Sequence, residues 1–196
     1  MSEERHQQRQ QRLKEKVDAR VAAASEQRGI VIVFTGNGKG KTTAGFGTVT
    51  RAVGHGMRAG VIQFIKGQWP NGERNLLEAH GVEFQVMSTG FTWNTQNRVT
   101  DRAAAQEVWQ QGLRMLADET LDLVLLDELT YMITYDYIDL SEVITALNSR
   151  PHNQTVIITG RACHRELLDL ADTVSELRPV KHAFDAGIKA QQGIDW

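Results

Sequence analysis

Cysteine is almost absent from the chain: a single one, Cys163, excludes an internal disulfide and suits a reducing compartment. No apolar run approaches the roughly 20 residues that a membrane-crossing helix needs. The polar N-terminus does not have the pattern of a secretory signal. A soluble, cytoplasmic protein is therefore expected, with no membrane partner. Neither sign of charge dominates. A net charge of −2 gives no bulk attraction to nucleic acid, and no nucleic-acid partner is expected. The six histidines are scattered, with no i, i+4 pair, which argues against a zinc site. Cys163-His164 does not make a thiol nucleophile, because adjacent side chains on a helix diverge, and a partly buried cysteine is expected. No Ser/His/Asp constellation and no internal repeat is evident.

What is present divides unequally. Residues 1–28 contain no aromatic residue and are rich in Gln, Glu, Arg and Lys. Leu13, Val17, Val21 and Ala24 nevertheless fall on one narrow stripe of a helix. This segment reads as a polar helical extension that either docks on the core or on another subunit, or remains a solvated tail. Residues 29–196 have the ordinary balance of a soluble domain, long enough to bury a real core.

The most informative stretch lies at the start of that domain. An apolar run, Ile30–Phe34, ends in glycines at alternate positions, Gly36, Gly38 and Gly40, interleaved with Asn37 and Lys39. Lys41, Thr42 and Thr43 follow, and then a segment with helical spacing. Buried strand, glycine loop, Lys-Thr and helix is the layout of a phosphate-binding P-loop. Glycine lets backbone amides approach an anion with no Cβ in the way. The helix N-terminus favours negative charge, Lys41 adds a cation, and the Thr42 hydroxyl is placed to ligate Mg²⁺. The usual first glycine of the motif is here Thr35.

From residue 30 onward strands and helices alternate. Strands are expected at 30–34, 60–65, 82–87, 121–126, 155–159 and 173–180. Helices are expected at 41–53, 73–79, 101–117 and 163–171, with two short ones between 127 and Pro151, the second starting near Ser141. Near-continuous apolar strands separated by helices indicate an α/β fold with a mostly parallel sheet covered on both faces. In such sheets ligands bind beyond the carboxyl ends of the strands. That places the chemistry at residues 36–42, 66–72, 88–97, 127–131 and 160–164.

Two of those loops carry further signals. Asp127-Glu128 ends an apolar strand, which is where P-loop proteins supply a carboxylate to Mg²⁺ directly or through water. The same pair could cap the following helix. Arg161, after Thr159-Gly160, can reach phosphate or pair with a nearby acid. The loop around Phe91 and Trp93 sets two large aromatics in a polar, glycine-flanked segment. Either they fold back into the core or they line a site for a large flat ligand. Trp69, Tyr131, Met132 and Tyr135 could extend that wall, with helical core as the alternative.

These motifs together resemble one family. Thr35-Gly-Asn-Gly-Lys-Gly-Lys-Thr-Thr43, Phe64-Ile-Lys-Gly67, Gly72-Glu-Arg-Asn75, Gly90-Phe-Thr-Trp93, Leu126-Asp-Glu-Leu-Thr-Tyr131, Val156-Ile-Ile-Thr-Gly-Arg161 and Glu176-Leu-Arg-Pro-Val-Lys-His-Ala-Phe-Asp185 resemble the P-loop ATP:corrinoid adenosyltransferases of the cobalamin pathway. Thr35, anomalous for P-loops in general, matches this family. The resemblance implies a RecA-like core, a homodimer, and Mg²⁺ (or Mn²⁺) with ATP and a reduced corrinoid as substrates. It also implies a reduced flavoprotein such as flavodoxin as electron donor. In the implied reaction Co(I) attacks C5′ of ATP and triphosphate leaves, with ATP held reversed relative to ordinary P-loop enzymes. Phe91 and Trp93 would press on the lower face of the corrin and displace its axial base. Two other readings share the core: an ATPase or nucleic-acid motor in which Glu128 activates water, and a non-catalytic nucleotide-gated binding protein.

Overall fold

The computed structural model describes residues 3–65, 71–89 and 97–195. Six strands, β1 (Val31–Thr35), β2 (Ala59–Gln63), β3 (Glu83–Val86), β4 (Leu123–Asp127), β5 (Thr155–Thr159) and β6 (Thr173–Glu176), form one sheet in the order β3-β2-β4-β5-β1-β6. Every pairing is parallel, with Val33 opposite Ile158 and Leu125 opposite Ile157. The described helices are α1 (Glu3–Ala23), α2 (Lys41–Gly54), α3 (Gly72–Glu78), α4 (Arg98–Leu116), α5 (Leu129–Thr134), α6 (Leu140–Ser149) and α7 (Arg165–Leu170). The arrangement is an α/β, P-loop-like fold with a parallel sheet, as the alternation in the sequence implies.

Central strands are buried along their whole length because both faces are covered. One face packs under α2, where Phe46, Val49 and Ala52 meet Val61, Leu125 and Ile157. Gly45 of α2 lies so close to the sheet that an added Cβ would sit 2.9 Å from Leu125 Cδ1. The other face packs under α4–α7 around Trp109, Met115, Leu126, Met132 and Ile158. Ala105, Trp109 and Leu116 are buried as their spacing implies, and Leu113 is half-buried.

Element ends follow local chemistry. Helix α4 begins a turn before the expected Asp101 because the Asn97 side chain caps it, accepting from Thr100 N at 3.2 Å. Asp139 caps α6 in the same way through Ser141 N, 2.7 Å. Strand β6 stops at Glu176 instead of running to Val180. Leu177 N still donates to Thr35 O (2.8 Å), but Leu177 O turns to accept from Gly38 N at 2.7 Å.

Helix α1 buries none of its residues, and Leu13, Val17 and Val21 are 54%, 48% and 68% exposed. Side-chain pairs one turn apart, Gln11–Glu15 and Lys14–Asp18, support it instead. The chain joins the core at Arg28, which makes a bidentate pair with Asp172. Asp172 Oδ2 also accepts from Val31 N at 2.9 Å, so one carboxylate ties residue 28, the edge of β1 and the start of β6 together. The Arg28 guanidinium holds the Asp172 carboxylate down to about 2.

A depressed carboxylate contributes stability above its ordinary value of about 3.9 and loses it as pH falls toward its folded value. Asp172→Ala should therefore cost about 1–2 kcal/mol at pH 7, mostly from the stranded Val31 N–H. It should also remove part of the stability loss between about pH 4 and pH 2. Urea unfolding across that range checks both. An acid limb identical to that of the parent would show that the pair does not stabilise the fold.

Candidate active site

The sheet order opens a crevice at the carboxyl ends of β1 and β5. From β1 the chain runs back across β5 and β4 to β2, whereas from β5 it passes β1 in the other direction to reach β6. Ligand sites form where adjacent strands diverge like this. A cleft of about 600 Å³ lies there, bounded by Asn37–Thr43, by Gly72, Glu73 and Leu76 around α3, and by Glu128, Tyr131 and Arg161. His182 and Gly193–Asp195 complete it.

Gly36 and Gly40 have left-handed φ values of 97° and 110°, which only glycine takes without strain. Two of the three alternate glycines are also required by protein backbone. A Cβ on Gly36 would lie 2.4 Å from Leu177 O, and one on Gly38 would lie 2.8 Å from the same atom. The missing Cβ atoms thus serve more than an anion: the segment after β6 demands them independently. Lys41 Nζ donates to Gly38 O at 2.8 Å, folding back over the loop. Burial holds the Lys41 ammonium below its ordinary range, and Arg161 lowers it further, against the opposing pull of Glu128 and Asp127.

The two acids at the end of β4 are not equivalent. Asp127 is 1% exposed, and its Oδ1 accepts from Thr159 Oγ1 at 2.7 Å. Its Oδ2 accepts from Gln63 Nε2 at 3.3 Å. Glu128 is half-buried on the cleft wall with φ of 64°, a left-handed conformation uncommon for a non-glycine residue. Glu128 is also the residue before α5, but its side chain makes no capping bond to that helix. Thr42 faces the same cleft.

Among the described residues no three His, Cys, Asp or Glu side chains gather into a self-sufficient metal site. A hydroxyl and carboxylates beside a space for phosphate do fit Mg²⁺, which takes few protein ligands and fills its octahedron from phosphate and water. The expected metal residues Thr42 and Glu128 therefore share the cleft, and Asp127 lies behind it.

Arg161 reaches the cleft from a strained loop, with Gly160 at φ 141° and Ala162 at φ 48°. Its carbonyl accepts from Thr130 Oγ1 at 2.7 Å. Tyr131 lines the cleft, Met132 is fully buried core, and Tyr135 packs against Tyr131 with ring centroids 6.1 Å apart. Burial pushes the Cys163 thiol up to about 11, which keeps it protonated and out of nucleophilic chemistry. Phe91, Trp93 and Trp69 lie outside the described residues. Sequence reasoning missed Glu73, His182 and Asp195 as cleft residues. Asp195 pairs with Lys39 of the glycine loop, a contact that no pattern in the C-terminal stretch signals.

Fold and cleft together define an α/β protein of the P-loop-like class. A family model described as ATP:corrinoid adenosyltransferase BtuR/CobO/CobP matches residues 27–196, and another, Cob(I)alamin adenosyltransferase N terminal, matches residues 1–21. The chain is 77% identical to the corrinoid adenosyltransferase of Escherichia coli (strain K12) and 76% identical to corrinoid adenosyltransferase CobA of Salmonella typhimurium, over the full length of each. It is 44% identical to the corrinoid adenosyltransferase of Pseudomonas aeruginosa, covering 99% of this chain and 97% of that one. The chain belongs to the ATP:corrinoid adenosyltransferase family, enzymes that transfer the adenosyl group of ATP to a corrinoid in cobalamin synthesis. No helix among the described residues is long and apolar enough to cross a membrane.

If Gly38 serves packing as well as ligand, Gly38→Ala should lower stability without any nucleotide, by about 1–3 kcal/mol for the forced shift of the Leu177 backbone. Denaturant unfolding of the ligand-free protein tests this. Unchanged stability with weakened ATP binding would return the glycine to the anion alone.

Proposed function

We propose that the cleft holds the triphosphate of ATP and that adenosyl transfer proceeds there by attack of the corrinoid's Co(I) on C5′. Gly36, Asn37, Gly38, Lys39, Gly40, Lys41, Thr42 and Thr43 surround the phosphates, with Arg161 opposite. The observation that carries this reading is the convergence of Lys41 and Arg161 on one cleft. Burial and Arg161 both raise the cost of the Lys41 charge, and a bound polyanion relieves it. As the Co–C5′ bond forms and the C5′–O bond breaks, charge grows on the leaving triphosphate. Lys41, Arg161 and the α2 N-terminus stabilise that charge where it develops.

Thr42 and Glu128, backed by Asp127, would hold Mg²⁺ (or Mn²⁺), which withdraws charge from the phosphate oxygens when bound. No protein nucleophile is needed, because the substrate's cobalt supplies it. Phe91 and Trp93 press on the lower corrin face and displace the axial base, which makes Co(II) easier to reduce. Aromatic rings suit this, since they fill space without offering a ligand. The enzyme works as a cytoplasmic homodimer supplied with electrons by a reduced flavoprotein such as flavodoxin. Residues 1–28 form an extension distinct from the domain at 29–196, a division supported by separate family models ending at residue 21 and starting at residue 27.

The products decide between this reading and ATP hydrolysis on the same core. Incubation with ATP and Co(I) corrinoid should yield triphosphate and an adenosylated corrinoid; ADP and phosphate would overturn it. Lys41→Ala should reduce transfer on the order of 10²–10³-fold at saturating ATP, and near-normal turnover would remove Lys41 from the chemistry.

Phe91→Ala or Trp93→Ala should leave ATP affinity nearly intact. Transfer from Co(II) with a biological reductant should fall steeply, and transfer from chemically supplied Co(I) much less. Equal loss from both starting states, with the four-coordinate Co(II) signal retained, would make these rings mere walls of the pocket.

A further inference from the structure

Two buried threonines at this edge exchange hydrogen bonds with each other's loops. Thr159, the last residue of β5, is fully buried. Its Oγ1 donates to Asp127 Oδ1 at 2.7 Å and accepts from Glu128 N at 2.9 Å. A hydroxyl has one proton and two lone pairs, so this single oxygen can serve a carboxylate and an amide at once. The amide it holds belongs to Glu128, whose φ of 64° would otherwise relax toward ordinary values.

The reciprocal bond runs the other way. Thr130, on α5 just after the acids, is 1% exposed and donates to Arg161 O at 2.7 Å. The fit is close: a Cβ on Gly160 would lie 2.0 Å from Thr130 Oγ1. The Arg161 carbonyl is thus held between two unusual conformations, Gly160 at φ 141° and Ala162 at φ 48°. Gly160 N in turn donates to Phe34 O at 3.2 Å, tying the same loop to β1 and the glycine loop.

Strand β5 therefore sets the acids at the end of β4, and the helix that follows β4 sets the arginine that follows β5. Neither threonine is among the residues that line the cleft. We infer that Thr159 and Thr130 are positioning residues for adenosyl transfer: Thr159 presents Glu128 to the cleft and fixes Asp127 behind it, and Thr130 presents Arg161 toward the phosphates. This rests on the reading of Glu128 and Arg161 given under Proposed function. It adds that the left-handed backbone at Glu128 and the carbonyl of Arg161 are each held by a threonine hydroxyl from the neighbouring strand's end. Purely structural threonines would affect every ligand alike, whereas positioning residues act on different ligands.

Calorimetric titration of the full chain with ATP, in excess Mg²⁺ and in excess chelator, separates the two roles without recourse to turnover. Thr159→Val keeps the shape and removes the hydroxyl. It should weaken ATP binding about tenfold or more in Mg²⁺ but much less in chelator, and Thr159→Ser should restore it. Thr130→Val should weaken ATP in both media while leaving binding of the corrinoid unchanged, again with rescue by serine; loss of corrinoid binding as well would make Thr130 merely structural. Thr159→Ala serves as the smaller variant should valine prevent folding, and the Thr130 pair stands as an independent arm.

The inference is overturned if Thr159→Val binds ATP within about twofold of the parent in Mg²⁺, or loses equally in both media. It is equally overturned if serine fails to rescue. Glu128→Ala and Arg161→Ala separate this failure from failure of the underlying reading. If those two weaken ATP as expected while the threonine variants do not, only the positioning roles fall. If they too are without effect, the assignment of the cleft falls with them.

Discussion

The contact on which the site depends is backbone against backbone. Gly38 N–H donates to Leu177 O, and the glycine loop lies so close to residues 176–178 that no side chain fits at positions 36 or 38. Several consequences follow. The loop is shaped before any ligand arrives, so its amides need no reorganisation. Strand β6 must lie beside β1, which requires the chain leaving β5 to pass β1 and so opens the crevice between them. The segment after β6 then continues past the loop, and His182 and Asp195 become part of the cleft.

Around that scaffold the charges are arranged at a cost to the ligand-free protein. Lys41 and Arg161 share a cleft in which burial and mutual repulsion hold the ammonium below its ordinary range. Asp127 is removed from solvent almost completely and is satisfied by Thr159 and Gln63. Glu128 and Ala162 take left-handed backbone conformations on either side of the same opening. Strain and like charge concentrated at one edge mark a place organised for something other than stability. Triphosphate, the leaving group of adenosyl transfer, is the polyanion such a site suits.

The N-terminal segment obeys different rules. Helix α1 is supported by its own side-chain pairs and leaves its apolar stripe uncovered, whereas Arg28 is locked to Asp172 in the core. The match to the main family model begins at residue 27, beside this contact.

Much of this was legible in the residues. Apolar runs and glycine stops located the strands, because a strand covered on both faces must be apolar throughout, and period-3.6 spacing put Trp109 and Leu116 in the core. That the glycine loop, Glu128 and Arg161 would meet at one edge was readable, because each follows the carboxyl end of a strand in a parallel sheet. The early end of β6, the second demand on Gly36 and Gly38, and the cleft roles of His182 and Asp195 were not. Each depends on two segments more than a hundred residues apart coming within a few ångströms, and no local pattern encodes such a meeting. Likewise Asp127-Glu128 is a pair of adjacent acids in the sequence. Only the turn of the chain at Glu128, held by a threonine hydroxyl from the neighbouring strand, buries one carboxylate and turns the other to the cleft.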